Sequence, residues 1–199
     1  MTVTKILTRL VRYAPPALQA RAKPGPRCVL ATRIGLDVLA HFGLDAEPRL
    51  VVCEVANAAY LQWVEDGAPG GDVGQLARGA WLVSNDPVKR RAGGEGLPRQ
   101  GPPVASPWDG HLVLRLRDLL IDLDAQQFAR PTHGIVPPAA VVLPWHGEER
   151  VGTDFRRGGA CCYWPWPADH PIDDWRTAPD WTRDVRDVVE AITRAMRKG

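Results

Sequence analysis

Two short alternating apolar runs, His111 to Leu116 and Leu119 to Asp124, are separated only by Arg117 and Asp118. Strands joined by two residues must double back, so the pair predicts an antiparallel hairpin. The spacing also sets which side chains share a face. With an even turn, Leu116 pairs with Leu119, His111 lies opposite Asp124, and Val113 lies opposite Asp122. Strand residues alternate faces, so His111, Asp122 and Asp124 fall on one side. Directly opposed and diagonal neighbours are both candidates for a His–carboxylate hydrogen bond. One local element thus offers an imidazole and two carboxylates. Arg-Asp is poor chemistry for a two-residue turn, which needs positive φ and favours Asn-Gly or Gly. A one-residue slip would turn the histidine away from both aspartates. An ordinary half-buried hairpin with solvated aspartates is the competing interpretation of the same pattern.

The clearest helix follows Pro24, in PGPRCVLATRIGLDVLAHFGL. Pro26 suits the first helical position and Gly43 the C′ position, with Leu44 supplying the apolar contact that accompanies a glycine cap. Leu30, Ile34, Val38 and Phe42 recur every four residues beside Leu39, giving one apolar stripe. Gly35 interrupts the helix interior at a cost of about 1 kcal/mol relative to alanine, which predicts a backbone packed close against it. Cys28 falls in the first turn. Free N–H groups and the helix dipole favour an anion there, and a thiolate is an anion. Arg27 adds positive charge beside it. A small buried cysteine at a helix start is the plainer alternative.

Elsewhere the pattern predicts a short helix over residues 4–13 that ends before Pro15-Pro16, and a further helical turn from Ala17 to Lys23. Strands are expected at Arg49–Ala56, where Cys53 reads as core, at Gly79–Ser84, at Ala139–Trp145, and in GACCYWP with one cysteine inward. The stretch from Asn85 to Gly110 is rich in breakers and reads as a long loop. A terminal helix is expected from Asp180 to Arg197, with Val185, Val188, Val189, Ile192 and Met196 on its apolar face, docking on the sheet or mediating assembly. Residues from about 146 to 199 form a Trp- and Pro-rich C-terminal lobe of the single domain expected for residues 1–199. Its tryptophans, with Trp145, offer either a stacking platform or, more commonly, buried apolar area.

A 199-residue chain with 45% hydrophobic residues suits one domain with a substantial core. A net charge of +2 provides no electrostatic footprint for nucleic acid. The start, MTVTKILTRLVRYAPP, carries Lys5, Arg9 and Arg12 within its apolar stretch and reads as neither signal peptide nor membrane span. A cytoplasmic setting with four reduced cysteines is therefore expected. No phosphate-binding or cofactor motif is present, so no cofactor is expected. A metal site from Cys161, Cys162, His146 and His170 lacks ligand spacing. His133, in a turn, is a weaker candidate base than His111.

A cysteine at a helix start, a histidine on a strand and an aspartate on the next strand resemble, in that order, the transglutaminase-like branch of the papain-like cysteine enzymes. The stretch LLIDLDAQQF, Leu119 to Phe128, is similar to the Ile-Asp-Ile-Thr-x-x-Gln-Phe strand end of small bacterial members. The likeness covers roughly residues 25–62 and 105–145. It implies an α+β, papain-like fold with a nucleophile helix on an antiparallel sheet, and a catalytic triad of Cys28, His111 and Asp122. Asp124 stands where the family has threonine. The Asp-Cys-Ser motif of related cell-wall peptidases is absent, since Arg27 precedes Cys28 and Val29 follows it. The implied activity is acyl transfer through a thioester, as peptidase, amidase or transferase, on a peptide, protein or other amide substrate. The rival expectation is a catalytically silent interaction module that keeps the fold. A thiol near His111 under an open cleft favours the enzyme; a buried or distant thiol favours the module.

Overall fold

In a computed structural model, the structure describes residues 1–21, 27–67, 80–85, 110–155, 158–169 and 174–199. The elements are α1 (Val3–Arg21), α2 (Cys28–Ala40), β1 (Glu47–Ala56), α3 (Ala58–Glu65), β2 (Leu82–Ser84), β3 (His111–Leu116), β4 (Leu119–Asp122), β5 (Val141–Pro144), β6 (Val151–Phe155), β7 (Gly159–Pro165), α4 (Pro179–Thr182) and α5 (Arg186–Lys198). The fold is mixed α+β, with every strand pairing antiparallel. Apart from Asn85 and Gly110 themselves, the stretch between them lies outside the described residues, as does Pro26.

The hairpin adopts the predicted register. Leu114 pairs with Ile121, Arg115 with Leu120 and Leu116 with Leu119. The turn keeps its two residues because Arg117 accepts a left-handed φ of 57°. That conformation costs a non-glycine residue about 1–2 kcal/mol. Glycine removes the penalty while adding some unfolded-state entropy. Arg117→Gly is accordingly expected to raise the melting temperature by about 1–3 °C, as read by thermal unfolding; a lower midpoint would mean that the arginine side chain contributes more than the turn costs.

Strand order is β5-β4-β3-β1-β7-β6, with β2 also on β1, and β5 and β6 return into contact so that the sheet nearly closes. One edge of β1 serves two strands: residues 47–51 pair with β3 and residues 54–56 with β2. Between them the Asn85 amide takes the place of backbone. Its Oδ1 accepts the Cys53 N–H at 2.6 Å and its Nδ2 donates to the Val51 carbonyl at 3.2 Å. An unpaired buried backbone group would cost more than this side chain loses in freedom.

The two faces of the hairpin serve two cores. Leu114, Leu116, Ile121 and Leu123 pack beneath α1, α2 and α5. Val113, Leu120, Val51, Cys53, Cys161, Tyr163 and Trp145 fill the interior of the curled sheet. Cys161 is thus the inward cysteine of β7, while Cys162 is only half-buried. Gly35 is crowded as expected, but by side chains rather than backbone: a Cβ there would lie 2.5 Å from Leu114 Cδ1 and 2.8 Å from Leu123 Cδ1.

Three local expectations are corrected. Helix α1 does not stop at Pro15-Pro16 but runs through both to Arg21. Leu7, Leu10, Ala14 and Leu18 form one buried stripe across the prolines, and its burial outweighs the lost helical hydrogen bonds. The terminal helix is two pieces, because Arg183 is extended, with ψ 140°, and the Asp184 side chain accepts the Arg186 N–H to start α5. Its apolar face is buried as expected, but against α1 and α2 rather than directly on the sheet. Helix α3 was not anticipated; Asn57 caps it, accepting the Tyr60 N–H at 2.9 Å. No helix among the described residues is long and apolar enough to cross a membrane.

Candidate active site

Strand alternation turns His111, the first residue of β3, into the sheet interior beside Asp122, the last residue of β4. His111 Nε2 lies 2.8 Å from Asp122 Oδ2, with both side chains 1% exposed. The contact is the diagonal one. The expected continuation of the strand to Asp124 fails: β4 ends at Asp122, and Asp124, at φ −138° and ψ 32°, leads into a 3-10 turn over Ala125–Phe128. This turn brings the Asp124 N–H onto Asp122 Oδ1 at 2.8 Å. Tyr163 on β7 donates its hydroxyl to Asp122 Oδ2 at 3.0 Å. Asp122 therefore accepts from a ring, a phenol and an amide, and holds His111 from a fixed position. Phe128 meets the ring edge-on, with centroids 5.0 Å apart.

Asp124 points elsewhere. Its carboxylate pairs with Arg27 at 2.9 Å, tying the end of the hairpin to the residue that precedes Cys28. Burial pushes the Asp124 carboxyl up to about 6, against the opposing pull of Arg27. Its Oδ2 is buried with no hydrogen-bond partner among the described residues.

Cys28 is the first residue of α2, and no side chain caps the helix at Arg27. The helix is pinned to β3 by Thr32, whose hydroxyl donates to the Leu112 carbonyl at 3.0 Å. The thiol reaches the Gly110 carbonyl, one residue before His111, at 3.9 Å. Burial alone would depress the His111 pKa, but the Asp122 charge and hydrogen bond, reinforced by those of Cys28, raise it to about 10. These influences favour the imidazolium form of His111.

Two features were not foreseen from the sequence as parts of this site, the Gln127 contact and the tryptophans that cover the thiol, whose burial was the plainer of the two alternatives for Cys28. Gln127 of the 3-10 turn brings its Nε2 to 2.7 Å from His111 Nδ1. And Cys28 is 1% exposed, in a cluster with Val29 and Leu112 against which Trp175, Ala178 and Trp181 pack. Trp175 and Trp181 meet edge-to-face at 4.3 Å, and Arg33 lies over Trp181. The tryptophans do not make one platform: Trp145 is buried in the sheet interior, and Trp164 is covered by Arg150.

The remaining candidates lie apart from this arrangement or contribute differently. His133 stacks on Trp81 with centroids 3.4 Å apart. All four cysteines are free. Burial raises the Cys53 and Cys161 thiols, to about 12 for Cys161, which makes them poor nucleophiles. No group of three or more metal-ligating side chains converges among the described residues, and His170 lies outside them.

Comparisons with protein-family models, curated proteins and solved structures find no match to this chain.

Proposed function

We propose that this chain is a papain-like, transglutaminase-like cysteine enzyme that transfers acyl groups through a thioester. The reading rests on one observation above the others, the buried His111–Asp122 pair at 2.8 Å with a helix-start thiol held on the carbonyl of the residue before the histidine. His111 takes the Cys28 proton, and Asp122 fixes the tautomer and stabilises the imidazolium. The thiolate attacks an amide or ester carbonyl, while uncapped N–H groups at the start of α2 supply donors for the oxyanion. Protonation of the leaving group by His111 yields the acyl-thioester. Water then completes hydrolysis, and an amine completes transfer. The α2 helix lying against an antiparallel sheet whose hairpin carries base and carboxylate suits this class.

The burial of Cys28 favours a second reading, a silent interaction module that retains the fold. Labelling separates the two. With iodoacetamide at neutral pH and mass-spectrometric mapping, Cys28 is expected to react first among the four thiols, and His111→Gln to slow it at least tenfold. Cys28→Ala should remove that label and any hydrolytic or transfer activity while leaving the fold intact. Reaction of Cys28 no faster than an unfolded thiol would support the module.

A further inference from the structure

Building on the proposed triad, we infer that Gln127 is a positioning residue that occupies His111 Nδ1, the nitrogen the Cys28 proton must reach, and so opposes thiolate formation. Nε2 of the ring is committed to Asp122, so Nδ1 is the nitrogen left to receive the thiol proton. Neutral Nδ1 offers one lone pair in the ring plane. The Gln127 amide N–H already points at it from 2.7 Å, while the thiol donates to the Gly110 carbonyl, one residue before the ring, at 3.9 Å. Gln127 therefore occupies the acceptor that the thiol proton must reach. An amide N–H in this position opposes protonation of the ring, whereas the Asp122 carboxylate favours it. Both cannot be satisfied at once, because a protonated Nδ1 has no lone pair for the amide.

The step being controlled is a single proton transfer. The S–H bond of Cys28 breaks, an N–H bond forms at Nδ1, and the charges left are a thiolate and an imidazolium. For this to happen, Gln127 must withdraw or turn its Oε1 toward the new N–H. Gln127 is only half-buried and sits in a four-residue 3-10 turn, so its side chain has somewhere to go. A substrate amide offering its own donors and acceptors would displace it, coupling thiolate formation to occupancy of the site.

The test compares the wild type with Gln127→Met, which keeps the bulk without the amide, and Gln127→Ala as a second variant should methionine misfold. Thiolate ultraviolet absorbance is titrated in each, with Cys28→Ala as the blank, and the His111 tautomer is read from ring nitrogen shifts. Loss of the amide should move thiolate formation down by about one pH unit, so that alkylation below the midpoint quickens about tenfold. Superimposable titrations in wild type and variants, with His111→Gln still abolishing the thiolate, would overturn the role of Gln127 and leave the triad standing. Absence of any His111-dependent Cys28 thiolate in all of them would overturn the triad and this inference together.

Discussion

Replacing Asp122 with asparagine is expected to preserve the fold and to lower Cys28-dependent turnover by about 10³–10⁴-fold, the scale on which loss of an orienting carboxylate acts in such triads. Asp122 accepts from His111, Tyr163 and the Asp124 N–H at once. Asparagine has one accepting oxygen in place of two, so it can hold the ring or the backbone amide, and the other donor loses its partner. One unmet buried group costs about 1–3 kcal/mol. Asp122→Ala strips all three donors and removes the charge that balances a protonated His111, for a loss of about 3–5 kcal/mol. The pair of variants separates chemistry from stability: urea unfolding should rank alanine well below asparagine, whereas turnover should be lost in both. Full turnover by a folded Asp122→Asn protein would remove Asp122 from the proposed mechanism.

The second large effect is a stability that falls with alkali. His111 has its folded pKa raised from 6.5 to about 10, so the native state holds a proton that the unfolded chain has released. The stabilisation is complete below pH 6.5 and is lost as pH rises through 10. The Gln127 N–H, by opposing protonation, draws the upper limit downward. Asp124 acts with the same sign at lower pH: its carboxyl, raised from 3.8 to about 6, contributes stability that is lost as pH climbs through that interval. Thermal unfolding from pH 6 to 10 should thus show a wild-type slope that His111→Gln flattens. Parallel slopes in the two proteins would assign the alkaline loss to other groups.

The hairpin was legible because its information is local. Alternation and a two-residue gap fix parity, and parity alone places His111 and Asp122 on one face. The choice between Asp122 and Asp124 was less accessible, since it depends on where the strand ends. The backbone leaves the strand after Asp122, and Asp124 then finds Arg27, a partner 97 residues away. Tyr163 illustrates the same limit. The inward face of GACCYWP could be read, but its meeting with Asp122 arises only when β7 crosses to lie beside β1. Local rules also erred where long-range burial overrode them: Pro15-Pro16 should break a helix, yet the stripe from Leu7 to Leu18 carries α1 through. Conversely, the periodicity of the terminal helix concealed the break at Arg183, whose neighbouring Asp184 supplies a new start.

The separation of the base and its carboxylate by only 11 residues, against 82 between Cys28 and Gly110, bears on how the site is assembled. Closing the short loop costs little chain entropy, and the long one costs more. The imidazole–carboxylate pair can therefore form as soon as the hairpin does, whereas the sulfur arrives only when the helical layer docks. An opening of that layer would withdraw the nucleophile and leave its base intact, so the order in which the chain condenses also sets the order in which chemical competence is gained and lost.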